Sequence, residues 1–96
     1  MVSVDDIRSA LSEIAPNYGI AKAYLFGSYA RGEQSDESDV DIVVILDKPL
    51  GFKRARFHDD LEQRLGLPVD IIFGEGQLYE PVRMTYEHDK VTVYAA

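Results

Sequence analysis

Apolar positions Ile7, Ala10, Leu11 and Ile14 recur at helical spacing, so residues 4–15 are expected to form an amphipathic helix. Ser3 followed by Asp6 resembles a capping box with Asp in the usual Glu place, and Pro16, Asn17 and Gly19 stop the helix. Residues 23–26 read as a short buried strand ending at Gly27, with a brief helix opening at Ser28 and a polar loop over 32–38. Residues 40–46 form a β-branched, apolar run and predict the clearest strand. Pro49 and Gly51 break it. A long helix is expected over 52–65, with Phe57, Leu61 and Leu65 along one side and Gly66 as its stop. Pro68 leads into a third strand over 69–73. Pro81 suits the first turn of a last helix, to which Leu78, Val82 and Tyr86 give an apolar side, and 91–94 reads as a final strand. The order is α-β-α-β-α-β-α-β, an α/β (α+β) fold with a small mixed sheet flanked by helices. The helix over 52–65 is a crossover long enough to make the strands on either side of it parallel.

Ninety-six residues, 46% of them hydrophobic, predict one domain over 1–96 with no room for a second, substrate-binding domain. The chain has no cysteine, which excludes disulfides and thiolate metal sites. Its N-terminal stretch carries Asp5, Asp6 and Arg8 and so lacks a signal-peptide core. The longest apolar run, 42–46, falls far short of the roughly 20 residues a membrane span needs. A cytoplasmic protein with no membrane partner is expected. The formal charge of −7 argues against direct binding of duplex nucleic acid. It is compatible with a nucleotide whose phosphates arrive neutralised by Mg²⁺, and it favours a cationic partner surface.

Three carboxylates carry the candidate chemistry. Asp39 and Asp41, at i and i+2 on the strand reading, point to one face, while Val40 and Ile42 point into the core. Like charges so placed repel unless a cation sits between them. Asp70 interrupts the apolar run of the third strand, and a carboxylate inside a buried strand needs a partner or a metal. If the two strands are neighbours, all three converge. Oxygen-only ligands favour Mg²⁺ or Mn²⁺ over zinc, and two such ions would stabilise both oxygens of a phosphoryl displacement. A calcium loop of the EF-hand kind is excluded, because Ile42, Val43 and Val44 supply neither a further oxygen ligand nor a glycine. Gly27 lets the backbone approach phosphate closely, and the Ser28 hydroxyl adds a hydrogen bond beside a helix start that favours anions.

Gly27-Ser28, ten residues, then Asp39-Val40-Asp41 resembles the signature of the DNA polymerase β-like nucleotidyltransferase superfamily. The run GSYARGEQSDESDVDIVV, residues 27–44, looks like its minimal nucleotidyltransferase branch, and Asp70 in VDIIF stands at the position of the family's third carboxylate. The resemblance covers roughly residues 4–73 and departs nowhere at the motif positions. The extra domain of the larger antibiotic- and tRNA-directed members is lacking. The resemblance implies ATP as donor, Ser28 and nearby amides on its β/γ-phosphates, and Asp39, Asp41 and Asp70 as ligands of two Mg²⁺ ions. Asp70 would also help deprotonate the acceptor hydroxyl. Minimal members of this kind pair with HEPN-domain toxins, so the implied role is that of an antitoxin transferring AMP to a toxin tyrosine. Binding-only masking of the toxin, small-molecule nucleotidyl transfer, for example to an aminoglycoside, and a purely structural or scaffolding domain are the competing expectations.

The remaining polar residues carry weaker expectations. Arg31 is placed to reach a phosphate or the partner, or else to be solvated. Lys48, Lys53, Arg54 and Arg56 read as an exposed helix start that would guide a triphosphate or meet a partner. His58 and His88 are expected on helix surfaces, the tyrosines in core or interface, and Glu33, Asp36 and Glu37 in a solvated loop.

Overall fold

Ser3 opens the first helix as expected: its hydroxyl accepts from the Asp6 N–H at 3.1 Å, and the Asp6 carboxylate accepts from the Ser3 N–H at 2.9 Å. This reciprocal cap starts α1, Val4–Ile14. The computed structural model describes residues 2–33 and 39–96. After α1 come β1 (Ile20–Phe26), α2 (Ser28–Arg31), β2 (Val40–Leu46), α3 (Lys53–Leu65), β3 (Val69–Phe73), α4 (Val82–Asp89) and β4 (Val91–Ala95). Two 3-10 turns, Ala15–Tyr18 and Glu75–Gln77, join them. This is the predicted order. The expected loop over 32–38 lies outside the described residues for 34–38.

The four strands form one sheet in the order β3-β2-β1-β4. β1 runs antiparallel to β2 and β4, and β2 runs parallel to β3, the pair joined by α3. Side chains alternate along each strand, and the two faces have different cores. Val40, Ile42 and Val44 of β2 join Ala23, Leu25 and Val69 under α1 and α3. Val43 faces the other way and packs with Leu78 and Tyr86, where Tyr24, Phe26, Ile72 and Val82 complete a smaller cluster under α4. Tyr86 meets Phe26 edge-on at 5.4 Å between ring centroids and donates its hydroxyl to Glu75 at 2.8 Å.

Two boundaries moved for reasons the local pattern does not hold. α1 runs on as the 3-10 turn Ala15–Tyr18 and is closed by Gly19 at φ 67°. β1 begins at Ile20, earlier than residue 23, because Ile20 pairs with Leu46 across the sheet. No helix among the described residues is long and apolar enough to cross a membrane.

α3 packs on the sheet and on the turn after α1 through aromatic contacts. Phe57, wholly buried, meets Tyr18 and Phe73 edge-on at 5.3 and 6.3 Å. Phe57→Ala is expected to lower the unfolding free energy by about 3–5 kcal/mol, read from the urea midpoint. A loss below about 1 kcal/mol would mean that this ring does not hold α3 in place.

Candidate active site

The antiparallel and parallel registers place three residues in one row across the sheet: Phe26 opposite Asp41, and Asp41 opposite Asp70. Register partners share a face, so both carboxylates stand on the α4 side of the sheet, the side of Phe26, Val43 and Ile72. The convergence expected of neighbouring strands is present for Asp41 and Asp70. Asp39 differs. It lies just ahead of β2 and is exposed, not on the strand, although its charge acts on Asp41.

Asp70 corrects a second expectation. Its side chain is exposed because β3 is the edge of the sheet, so burial imposes no demand for a partner there. The strained carboxylate is Asp41. It is half-buried, and its pKa is pushed up to about 6, first by burial, then by the charges of Asp70 and Asp39, with Arg31 pulling the other way. A negative charge is therefore unwelcome at Asp41 until a cation arrives.

Gly27 closes the other wall. It leaves β1 at φ 75°, ψ −154°, and a Cβ built there would lie 2.6 Å from Asp41 Oδ2. The backbone at residue 27 is thus packed directly on the Asp41 carboxylate, which joins the Gly27-Ser28 turn to the acidic row. Ser28 does not cap α2: the cap position is Gly27, with no side-chain hydrogen bond. Among the described residues nothing bonds to the Ser28 hydroxyl, and the helix start leaves first-turn N–H groups without an intrahelical partner.

Arg31 is exposed, as a solvated arginine would be, but its guanidinium is tied into ion pairs. Its Nε donates to Glu33 at 3.1 Å and its Nη1 to Asp89 at 3.0 Å. Asp89, at the end of α4, has a side chain only 10% exposed, and bonds from His88 and then Arg31 hold its carboxyl below the usual range. The Arg31–Asp89 pair spans 58 residues and left no local sequence signal. Tyr29, beside the turn, is buried in the core. Lys48, Lys53, Arg54 and Arg56 are exposed and lie beyond the far end of β2, away from the acidic row, with Arg54 stacked 4.8 Å over Phe73. His88 is exposed, as expected, but His58 is half-buried and bonds to β3. Of the loop carboxylates, Glu33 is exposed and paired with Arg31, while Asp36 and Glu37 lie outside the described residues.

The donor set fits a hard divalent cation. All donors are oxygens, and the raised pKa of Asp41 is the condition a bound cation would relieve. Among the described residues no group of three or more His, Cys, Asp or Glu side chains is arranged to hold a metal ion by itself. An all-protein cage is not what Mg²⁺ requires, because it is commonly held by one or two carboxylates together with substrate phosphates and water.

A family model described as a nucleotidyltransferase domain matches residues 4–93. The protein adenylyltransferase MntA of Thermococcus cleftensis is 36% identical over 77 residues, covering 75% of this chain and 78% of that protein. A solved structure provisionally described as a minimal nucleotidyltransferase superposes with a TM-score of 0.75 at 28% identity, over 94% of this chain and 95% of that chain. The complex of a tri-AMPylated Shewanella oneidensis HEPN toxin with MNT antitoxin matches with a TM-score of 0.69 at 17% identity, over 97% of this chain and 73% of that chain. At that identity the likeness is one of fold.

Proposed function

The chain belongs to the nucleotidyltransferase domain family, and from that premise we propose that it transfers AMP from ATP to a tyrosine hydroxyl of a HEPN-domain toxin, as the toxin's antitoxin. The observation that carries this reading is the row itself: Asp70 directly across from Asp41, on an open face, with Gly27 packed against Asp41. That arrangement puts a strained carboxylate, an exposed carboxylate and the Gly27-Ser28 turn within one patch. The named activity of the Thermococcus relative and the HEPN–MNT complex support the substrate and partner.

Each residue has a stated task in the reading. The Ser28 hydroxyl and the free amides at the start of α2 bind the β/γ-phosphates. Asp39, Asp41 and Asp70 would hold Mg²⁺, or Mn²⁺ in its place; when bound, two such ions neutralise charge on the attacking and leaving oxygens. Asp41, set in the wall beside Gly27, fixes where the α-phosphate lies. Asp70, open to solvent at the sheet edge, faces the incoming tyrosine and takes the hydroxyl proton on a carboxylate oxygen. The tyrosine oxygen then bonds to the α-phosphorus in line as the bond to the β-phosphate oxygen breaks and pyrophosphate leaves. Arg31 contributes positive charge to the wall near Asp41 while staying with Glu33 and Asp89.

Incubation of the protein with α-labelled ATP, Mg²⁺ and a HEPN-domain toxin is expected to label that toxin on tyrosine and to silence it. Silencing without label would replace this reading with binding-only masking. Label found only on an added aminoglycoside would make the chain a small-molecule nucleotidyltransferase.

A further inference from the structure

Asp70 stands exposed at the edge of the sheet. Its side chain takes part in no hydrogen bond or ion pair among the described residues. Its aim is therefore set by the backbone of β3, an edge strand with a neighbour on one side only. On that inner side the Pro68 carbonyl accepts from the Val40 N–H at 3.2 Å. On the outer side no strand among the described residues takes the next residue's groups.

Two side chains of α3 take them. The Val69 N–H donates to Glu62 Oε2 at 2.7 Å, and the Val69 carbonyl accepts from His58 Nε2 at 2.8 Å. His58 and Glu62 stand one helical turn apart, and their facing atoms are 3.2 Å from each other. Val69 is 4% exposed, so neither backbone group has ready access to water as a substitute. The Val69 carbonyl belongs to the peptide that leads into Asp70. No comparable side-chain bond reaches the backbone of Ile71 or Phe73 among the described residues. The clamp falls on the outer position that immediately precedes the carboxylate.

We propose that His58 and Glu62 are positioning residues for Asp70, fixing from α3 the peptide that aims this carboxylate across the sheet at Asp41. The inference rests on the reading that Asp70 acts in nucleotide transfer. A displacement of about 1 Å at a reacting group can cost about 100-fold in rate, so a loosened Val69 peptide would be felt in turnover. A clamp that served only to stabilise the strand would instead cost activity in proportion to the unfolded fraction.

The test compares Glu62→Leu and His58→Leu, which remove the bonds, with Glu62→Gln, which keeps an acceptor for the Val69 N–H. At a temperature where all are folded, the leucine variants are expected to lose about tenfold in kcat with KM for ATP nearly unchanged, and Glu62→Gln to recover most of it. In the metal-free proteins, amide exchange at Val69 should accelerate in Glu62→Leu and not in Glu62→Gln. Titration with Mn²⁺ alone should give about tenfold weaker affinity in the leucine variants. Unchanged Mn²⁺ affinity with fast Val69 exchange would overturn the inference, as would losses in kcat that follow the unfolded fraction. Should the wild-type protein label no partner, the proposed acceptor is wrong, while the Mn²⁺ and exchange results still decide the clamp.

Discussion

Asp41→Asn will abolish nucleotide transfer and at the same time make the metal-free protein more stable. The two effects have one cause. Asp41 sits half-buried between the charges of Asp70 and Asp39, so its ionised form is disfavoured and its pKa lies at about 6. Asparagine keeps the shape and removes the charge. Without the charge the site loses its best-placed cation ligand, and transfer should fall by at least about 100-fold, the scale for removing one preorganised charge-stabilising group. Transfer within a fewfold of wild type would remove Asp41 from the mechanism. Mg²⁺ should then stabilise the wild-type protein against heat and leave Asp41→Asn nearly unmoved, since a ligand stabilises only the state that binds it.

The stability gain has a definite pH signature. A carboxylate whose pKa is raised on folding binds its proton more tightly in the folded state. Its stabilising contribution is complete below the unfolded value of 3.8 and is lost as pH rises through about 6. In the presence of a chelator, wild-type stability relative to Asp41→Asn should therefore fall between pH 4 and pH 7. After screening at a half-exposed site the difference is on the order of 1–2 kcal/mol, or several degrees in Tm. Asp6, Glu13 and Asp89 have lowered pKa values, so their contributions are present at higher pH and are lost only in acid, below this window. Parallel pH profiles for the two proteins would show that Asp41 is not under electrostatic strain.

The sequence held those features that depend on neighbours in the chain. The capping box at Ser3, the αL stop at Gly66 and the period of Phe57, Leu61 and Leu65 are local, and each stands where it was expected. The parallel sense of β2 and β3 follows from a length argument, since a crossover of α3's size leaves parallel strands, whereas their direct pairing does not. Pairing distance was the barrier elsewhere. Ile20 joins β1 through Leu46, and Arg31 meets Asp89, contacts without a periodic or motif signal. The expected burial of Asp70 failed for a related reason: an apolar run does not say whether its strand lies at the edge or the centre of a sheet. His58 went from helix surface to strand clamp because α3 was assigned a buried side by its apolar residues alone, and the polar flank of that side is what meets β3.

Gly27→Ala will disable the site through the backbone instead of through charge. The residue adopts φ 75° and ψ −154°, a region that is close to glycine-only, so any side chain there costs about 1–3 kcal/mol. The added methyl would also stand 2.6 Å from Asp41 Oδ2 and 3.5 Å from its Cγ. Because Asp41 sits on a strand paired on both sides, the carboxylate must swing away or the turn must lift from the sheet. Either movement separates the phosphate-binding turn from the acidic row, and transfer should fall by about 100-fold, with about 2–4 kcal/mol lost from stability. The two contributions can be separated in a double-mutant cycle. In an Asp41→Ala background the contacted oxygen is absent, so Gly27→Ala should retain its conformational cost and lose its steric one, a coupling of about 1–2 kcal/mol in urea unfolding. Strict additivity would mean that Gly27 is required for its torsion angles alone, and that the packing of this backbone on Asp41 does not shape the site.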